Sequence, residues 1–195
     1  AHSHTTADHP LTVRYVREHA AEWGVDPGNI TAMGFSAGGH LAACMGTLWE
    51  RPELEDFLGA GREDCRPDRL VLCYPVLSNE GEYHRESFLN LLGQRGAEDE
   101  TLRRLTCPEH HVGSRTPPVF LWHGFADTAV PVIGSIRFAA ALAAHGVYTE
   151  FHLYPFAGHG GGLNRGTDQG EWSDKAERFM RDERLRGMGR LPDSD

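Results

Sequence analysis

Ser36 stands in Gly34-Phe35-Ser36-Ala37-Gly38, a G-x-S-x-G pattern. A serine hydroxyl is a poor nucleophile at neutral pH, so acyl-transfer chemistry needs it held where a base can take its proton and no side chain blocks attack. G-x-S-x-G achieves this on a sharp strand-to-helix turn, where the flanking glycines allow close backbone approach. Ile30-Thr31-Ala32-Met33-Gly34-Phe35 before Ser36 reads as a short buried strand, and Ala37 to Trp49 after it as a helix rich in small residues. The backbone N–H of Ala37, at that helix N-terminus, is a candidate donor to a developing oxyanion.

Two further residues complete a candidate triad in the chain order Ser, Asp, His. Asp127 lies in His123-Gly124-Phe125-Ala126-Asp127-Thr128-Ala129-Val130-Pro131, and His159 in Ala157-Gly158-His159-Gly160-Gly161-Gly162. Each follows the carboxyl end of an expected strand, where open parallel sheets build their sites. Taken alone, Asp127 has the alternative role of a turn or capping aspartate, and His159 that of a solvated loop histidine. In the triad reading Ser36 is the nucleophile, His159 the general base and acid, and Asp127 the group that orients the imidazole.

The elements that must position these residues alternate. Leu11, Val13, Val16, Ala20 and Trp23 recur at helical spacing, and Gly24 with Asp26-Pro27-Gly28 ends that helix. Residues 69–74, 118–123 and 148–154 read as strands, 133–145 as a helix, and 171–186 as a closing helix with Trp172, Ala176, Phe179 and Met180 on one face. Strands alternating with helices predict an α/β fold with a mostly parallel sheet covered on both faces. Residues 76–117 break the rhythm with a polar loop and two short helical pieces, around 88–92 and 99–105. They read as an insertion over the strand ends or as a decorated crossover.

Composition bounds the function. The 195 residues suit a single domain, 1–195, and the net charge of −9 argues against nucleic acid and anionic membranes as partners. Arg181, Arg184 and Arg186 alternate with Asp182 and Glu183 and read as a solvated helix face. No apolar stretch reaches the roughly 18 residues of a membrane span, and residues 1–6 lack a signal-peptide pattern. An Ala start is compatible with a processed or incomplete N-terminus. Cys44, Cys65, Cys73 and Cys107 form no C-x-x-C pair and read as free thiols, which weighs toward a reducing, cytoplasmic compartment. His2, His4, His110 and His111 lack partner ligands at metal-site spacing and read as surface histidines, so neither metal nor cofactor is expected.

At these motifs the chain resembles the esterase/lipase branch of the α/β-hydrolases, in particular acetyl esterases and acetyl-xylan-esterase-like enzymes. The resemblance is carried by Gly34 to Ala42, Tyr74-Pro75-Val76, Ser87 to Gly93, Thr116 to Pro131, and Gly158-His159-Gly160. It implies cofactor-free hydrolysis of small carboxylic esters, acetyl groups on a sugar or xylo-oligosaccharide among them, with a small-molecule ester as partner and the oligomeric state open. Prolyl-oligopeptidase-type peptidases share the triad order and an Asp-x-x-Val-Pro segment, but resemble G-x-S-Y-G-G at the elbow, where this chain has Ala37. A non-catalytic hydrolase-like scaffold is the third reading.

Related enzymes place several strands and a His-Gly-Gly-Gly-like loop before the elbow strand, and that loop supplies a second oxyanion donor. This chain shows no counterpart, so the resemblance is to the C-terminal part of the fold, with about the first third missing. The expectation that follows is an elbow strand at the sheet edge, and weak activity and aggregation for the 195 residues alone.

Overall fold

The computed structural model describes residues 8–54, 58 and 61–189. His2 and His4 lie outside the described residues. Four strands, β1 (Thr31–Phe35), β2 (Arg69–Cys73), β3 (Val119–Gly124) and β4 (Thr149–Tyr154), form one sheet in the order β1-β2-β3-β4. Every neighbouring pair is parallel. The helices are α1 (Asp8–Glu18), α2 (Ala20–Trp23), α3 (Ala37–Thr47), α4 (Arg85–Glu98), α5 (Glu100–Leu105), α6 (Ile133–Ala144) and α7 (Trp172–Met180). This is the α/β architecture expected from the alternation of strands and helices.

The sheet's two faces follow from the period-2 alternation of strand side chains. Leu70, Leu72, Val119 and Leu121 pack on one side with Ala42 and Ala43 of α3 and Phe138 and Leu142 of α6. Val71, Cys73, Phe120 and Trp122 pack on the other with Trp172, Ala176 and Phe179 of α7. The central strands β2 and β3 are buried at every residue. Among the described residues β1 has a single neighbour, β2. Its Ala32 and Gly34 face the core, while Met33 and Phe35 are 42% and 39% exposed. The elbow strand therefore stands at the edge of the sheet, as expected. Its anchor at the start is Asp68, whose Oδ2 accepts from the Ile30 N–H at 2.8 Å and pairs with Arg17 of α1 at 3.1 Å.

Several elements differ from the sequence reading. The first helix divides into α1 and α2, and Trp23 faces solvent, grouped with Tyr15 and His19 rather than with the core. The closing helix stops at Met180, and Glu183–Leu185 form a separate 3-10 turn capped by Asp182. The basic residues after it are therefore not on a helix face: Arg184 pairs with Asp182, and Arg186 reaches Asp26 across the fold. In the 76–117 segment both helical pieces are present. The first is longer than expected and kinks at Gly93, whose φ of +69° is not helical. The second is capped by Asp99, which accepts from the N–H groups of Thr101 and Leu102.

This segment is tied to the elements around the candidate triad. Phe88 packs with Val76 and Val130 in a buried cluster and meets the His40 ring edge-on at 5.6 Å. Asn79 and Arg103 exchange two hydrogen bonds between side chain and main chain, closing the segment on itself.

Candidate active site

The parallel register aligns the strand ends. Phe35 lies opposite Cys73, Cys73 opposite Trp122, and Gly124 opposite Tyr154, so the loops after β1, β2, β3 and β4 leave from one rim. Ser36, Tyr74, Asp127 and His159 stand on those loops.

Ser36 has φ +51° and ψ −118°, a conformation that an L-residue rarely adopts and that projects the side chain off the turn. The strain is held by the surroundings. The Ser36 N–H donates to the Cys73 carbonyl at 2.9 Å, and the Ser36 carbonyl accepts from the N–H groups of Val76 and His40. The glycines do unequal work. A Cβ at Gly34 would lie 2.0 Å from the Gly38 carbonyl oxygen, and one at Gly39 would lie 2.6 Å from Pro75 Cβ, whereas Gly38 faces open space. Close approach thus depends on Gly34 and Gly39, not on the second glycine of the pentapeptide. Ala37 is the first residue of α3, where a backbone N–H has no intrahelical acceptor.

All three residues of the expected triad come together. Ser36 Oγ lies 2.9 Å from His159 Nε2, and His159 Nδ1 lies 2.7 Å from Asp127 Oδ2. Asp127 is buried, and its other oxygen, Oδ1, accepts from the N–H groups of Ala129 and Val130, both at 2.9 Å. Burial alone would raise its carboxyl pKa. The Val130 and Ala129 N–H groups and His159 outweigh burial and hold it below the ordinary carboxylate value. An ionised Asp127 requires His159 to carry its proton on Nδ1, which leaves Nε2 free to accept the serine proton.

The two loops carrying Asp127 and His159 are joined directly. The Phe125 N–H donates to the Tyr154 carbonyl at 2.8 Å and the Ala126 N–H to the Ala157 carbonyl at 3.1 Å. Beyond His159 the chain passes through Gly160, Gly161 and Gly162, all at positive φ, and the Gly162 carbonyl accepts from the Trp172 indole at 2.9 Å. That bond ties the base loop to α7.

Two residues at the rim escaped the sequence reading of the site. Tyr74 ends an expected strand and opens the Tyr74-Pro75-Val76 motif, with no role assigned to its side chain. It has φ +38°, and its ring meets the imidazole of His159 edge-on, with centroids 4.9 Å apart. Its signal is the Tyr-Pro pair at a strand end, where Pro75 has no N–H to continue the ladder. His123 ends an expected strand and begins the segment around Asp127, with no role assigned to its side chain. Its side chain is wholly buried, with Nε2 3.1 Å from Asp127 Oδ2.

Cys107, Glu109 and His110 have ligand-type atoms within 4.8 Å of one another. Each already has a partner: His110 bonds to Glu80, Glu109 accepts from Ser78, and Cys107 lies against Glu109. His110 and His111 are half-buried rather than surface groups. Burial pushes the thiols of Cys44, Cys73 and Cys107 up to about 12, and all four cysteines are free and buried.

A parallel sheet with its strand-end loops converging on a strained serine is the architecture of an α/β-hydrolase. The BD-FAE family matches residues 3–142, and the chain belongs to that family. It is 32% identical over 164 residues to an endo-1,4-beta-xylanase B of Butyrivibrio fibrisolvens, covering 82% of this chain and 25% of that protein. It is 30% identical over 172 residues to an acetylxylan esterase of Xylanibacter ruminicola, covering 87% of this chain and 32% of that one. Among solved structures, an acetyl ester-xyloside bifunctional hydrolase from Caldicellulosiruptor lactoaceticus superposes with a TM-score of 0.80 at 37% identity. That match covers 92% of this chain and 65% of the other. The chain thus spans a quarter to a third of these two curated relatives and about two thirds of the solved one. Among the described residues, no helix is long and apolar enough to cross a membrane.

Proposed function

We propose that the protein hydrolyses small carboxylic esters through an acyl-enzyme on Ser36, and that acetyl esters of carbohydrates are its substrate class. The observation carrying this reading is the hydrogen-bonded line from Ser36 Oγ through His159 to Asp127, 2.9 Å and 2.7 Å long, on three separate strand-end loops. His159 Nε2 takes the Ser36 proton as Oγ attacks the carbonyl carbon. Asp127 keeps the imidazole oriented and balances its charge, and the Ala37 N–H donates to the tetrahedral oxyanion. His159 then returns the proton to the leaving alcohol, and water hydrolyses the acetyl-Ser36 ester by the same steps in reverse. The carbohydrate class is supported by the relatives named as a xylanase and an acetylxylan esterase.

The test pairs p-nitrophenyl acetate and an acetylated xylo-oligosaccharide with an aminoacyl-p-nitroanilide. Hydrolysis of both esters and not the anilide is the expected result. Ser36→Ala should remove turnover and fluorophosphonate labelling while leaving the melting temperature unchanged, a loss of roughly 10⁴-fold or more. Retained esterase activity in Ser36→Ala, or preference for the anilide, would overturn the proposal.

A further inference from the structure

His123 stands behind the candidate acid, at the end of β3, with no exposed side-chain surface. Its Nε2 has two neighbours, Asp127 Oδ2 at 3.1 Å and the Val130 carbonyl oxygen at 3.0 Å. Both are acceptors, so Nε2 must carry the hydrogen. Its Nδ1 lies 2.8 Å from the hydroxyl of Ser135, a fully buried residue of α6. Burial disfavours the charged ring, so Nδ1 accepts and Ser135 donates. The ring is thereby a neutral Nε2–H tautomer with every polar atom used. Asp127 Oδ2 in turn receives two imidazole donors, His159 Nδ1–H at 2.7 Å and His123 Nε2–H at 3.1 Å.

We infer that His123, fixed in its Nε2–H tautomer by the acceptors at Nε2 and with Nδ1 satisfied by Ser135, is a positioning residue that holds Asp127 Oδ2 from behind and limits how tightly that oxygen grips His159. The inference rests on the proposed roles of Asp127 and His159, and it adds a second imidazole to the acid. A carboxylate oxygen divides its hydrogen-bonding capacity among its donors, so removal of one strengthens the bond to the other. A purely structural role, closing the 123–130 loop through the Val130 carbonyl, would leave the His159–Asp127 bond unchanged.

Histidine NMR on the ¹⁵N-labelled protein reads this without requiring turnover. In the unaltered protein His123 should be a neutral Nε2–H tautomer between about pH 6 and 8. His123→Phe should move the His159 Nδ1–H proton downfield and slow its exchange with water. His123→Gln, whose amide can donate in place of Nε2, should return both toward the starting values. Ser135→Ala leaves both acceptors at Nε2 and should keep the tautomer, while loss of the donor at Nδ1 weakens the Nε2–H donor and moves the His159 proton downfield by less than His123→Phe does. An Nδ1–H or protonated His123 in the unaltered protein overturns the inference. So does an unmoved His159 proton in His123→Phe, or an Nδ1–H His123 in Ser135→Ala. If His123→Phe fails to fold, the other two observations decide. Fluorophosphonate labelling of Ser36 reports on the hydrolase reading separately, and its failure leaves the NMR result readable.

Discussion

Gly124 and Ala157 meet so closely that a Cβ on Gly124 would lie 2.1 Å from the Ala157 carbonyl oxygen. This contact sets the loop carrying Asp127 against the loop carrying His159. Gly124→Ala must therefore push the two loops apart. The expected outcome is a loss of roughly 10²-fold in kcat/KM, as for a misplacement of about 1 Å at a catalytic group. Stability should fall by about 1 to 3 kcal/mol, the usual consequence of overpacking. Ester hydrolysis and urea denaturation measure the two, and an unaltered kcat/KM would show that the loops do not depend on this contact.

Gly38 and Gly39, both in the helix after Ser36, should respond differently to a methyl group. Gly38→Ala enters open space within a helix, so its stability should stay within about 1 kcal/mol of the parent or rise. Gly39→Ala drives a Cβ into Pro75 and should destabilise by about 1 to 3 kcal/mol, displacing the turn after β2 that carries Tyr74. Thermal melts of the two variants side by side check the contrast, and equal melting temperatures would contradict it.

In the proposed triad Asp127 supplies orientation, and its depressed carboxyl pKa adds acid-range stability. Asp127→Asn removes the acceptor that selects the Nδ1–H tautomer of His159, and kcat should fall by about 10⁴-fold. The native carboxyl pKa is depressed, so its stabilising contribution is present above the unfolded value of about 3.9 and is lost as pH falls through the native value. Denaturation midpoints from neutral pH down to the acid range should therefore decline less steeply for Asp127→Asn than for the parent below about pH 4.

His40 and His123 make stability sensitive at milder pH. Burial pushes both below the ordinary histidine value, only partly opposed at His40 by its bond to the Thr106 carbonyl and at His123 by Asp127. The unfolded chain then takes up protons before the native one does. Stability should fall as pH drops below about 6.5, by about 1.4 kcal/mol per pH unit for each such histidine until the native ring protonates. His40→Gln, which can still donate to Thr106, should lessen the slope in urea denaturation series at stepped pH. An unchanged slope would place the effect elsewhere.

Much of this site is legible before folding. Ser36, Asp127 and His159 announce themselves because each follows a run that reads as a strand, and because glycines mark the turns around them. The alternation of strand and helix periodicity likewise sets the parallel sheet, since parallel strands need crossovers between them. Local pattern carries that much because backbone sterics act over a few residues.

What local pattern does not carry is which atoms meet. Gly38 looks equivalent to Gly34 in the pentapeptide, yet the backbone crowds only Gly34 and, one residue beyond the motif, Gly39. Trp23 fits an apolar stripe yet lies in solvent, because no element covers that side of α2 among the described residues. His123 reads as one more strand residue until β3, α6 and the acid loop close around it and leave its two nitrogens facing Ser135, Val130 and Asp127. Strand ends and turns follow from residue type and spacing along the chain. Which partner a buried polar atom finds follows from loops that converge over long separations, and that convergence exists only once the sheet has assembled.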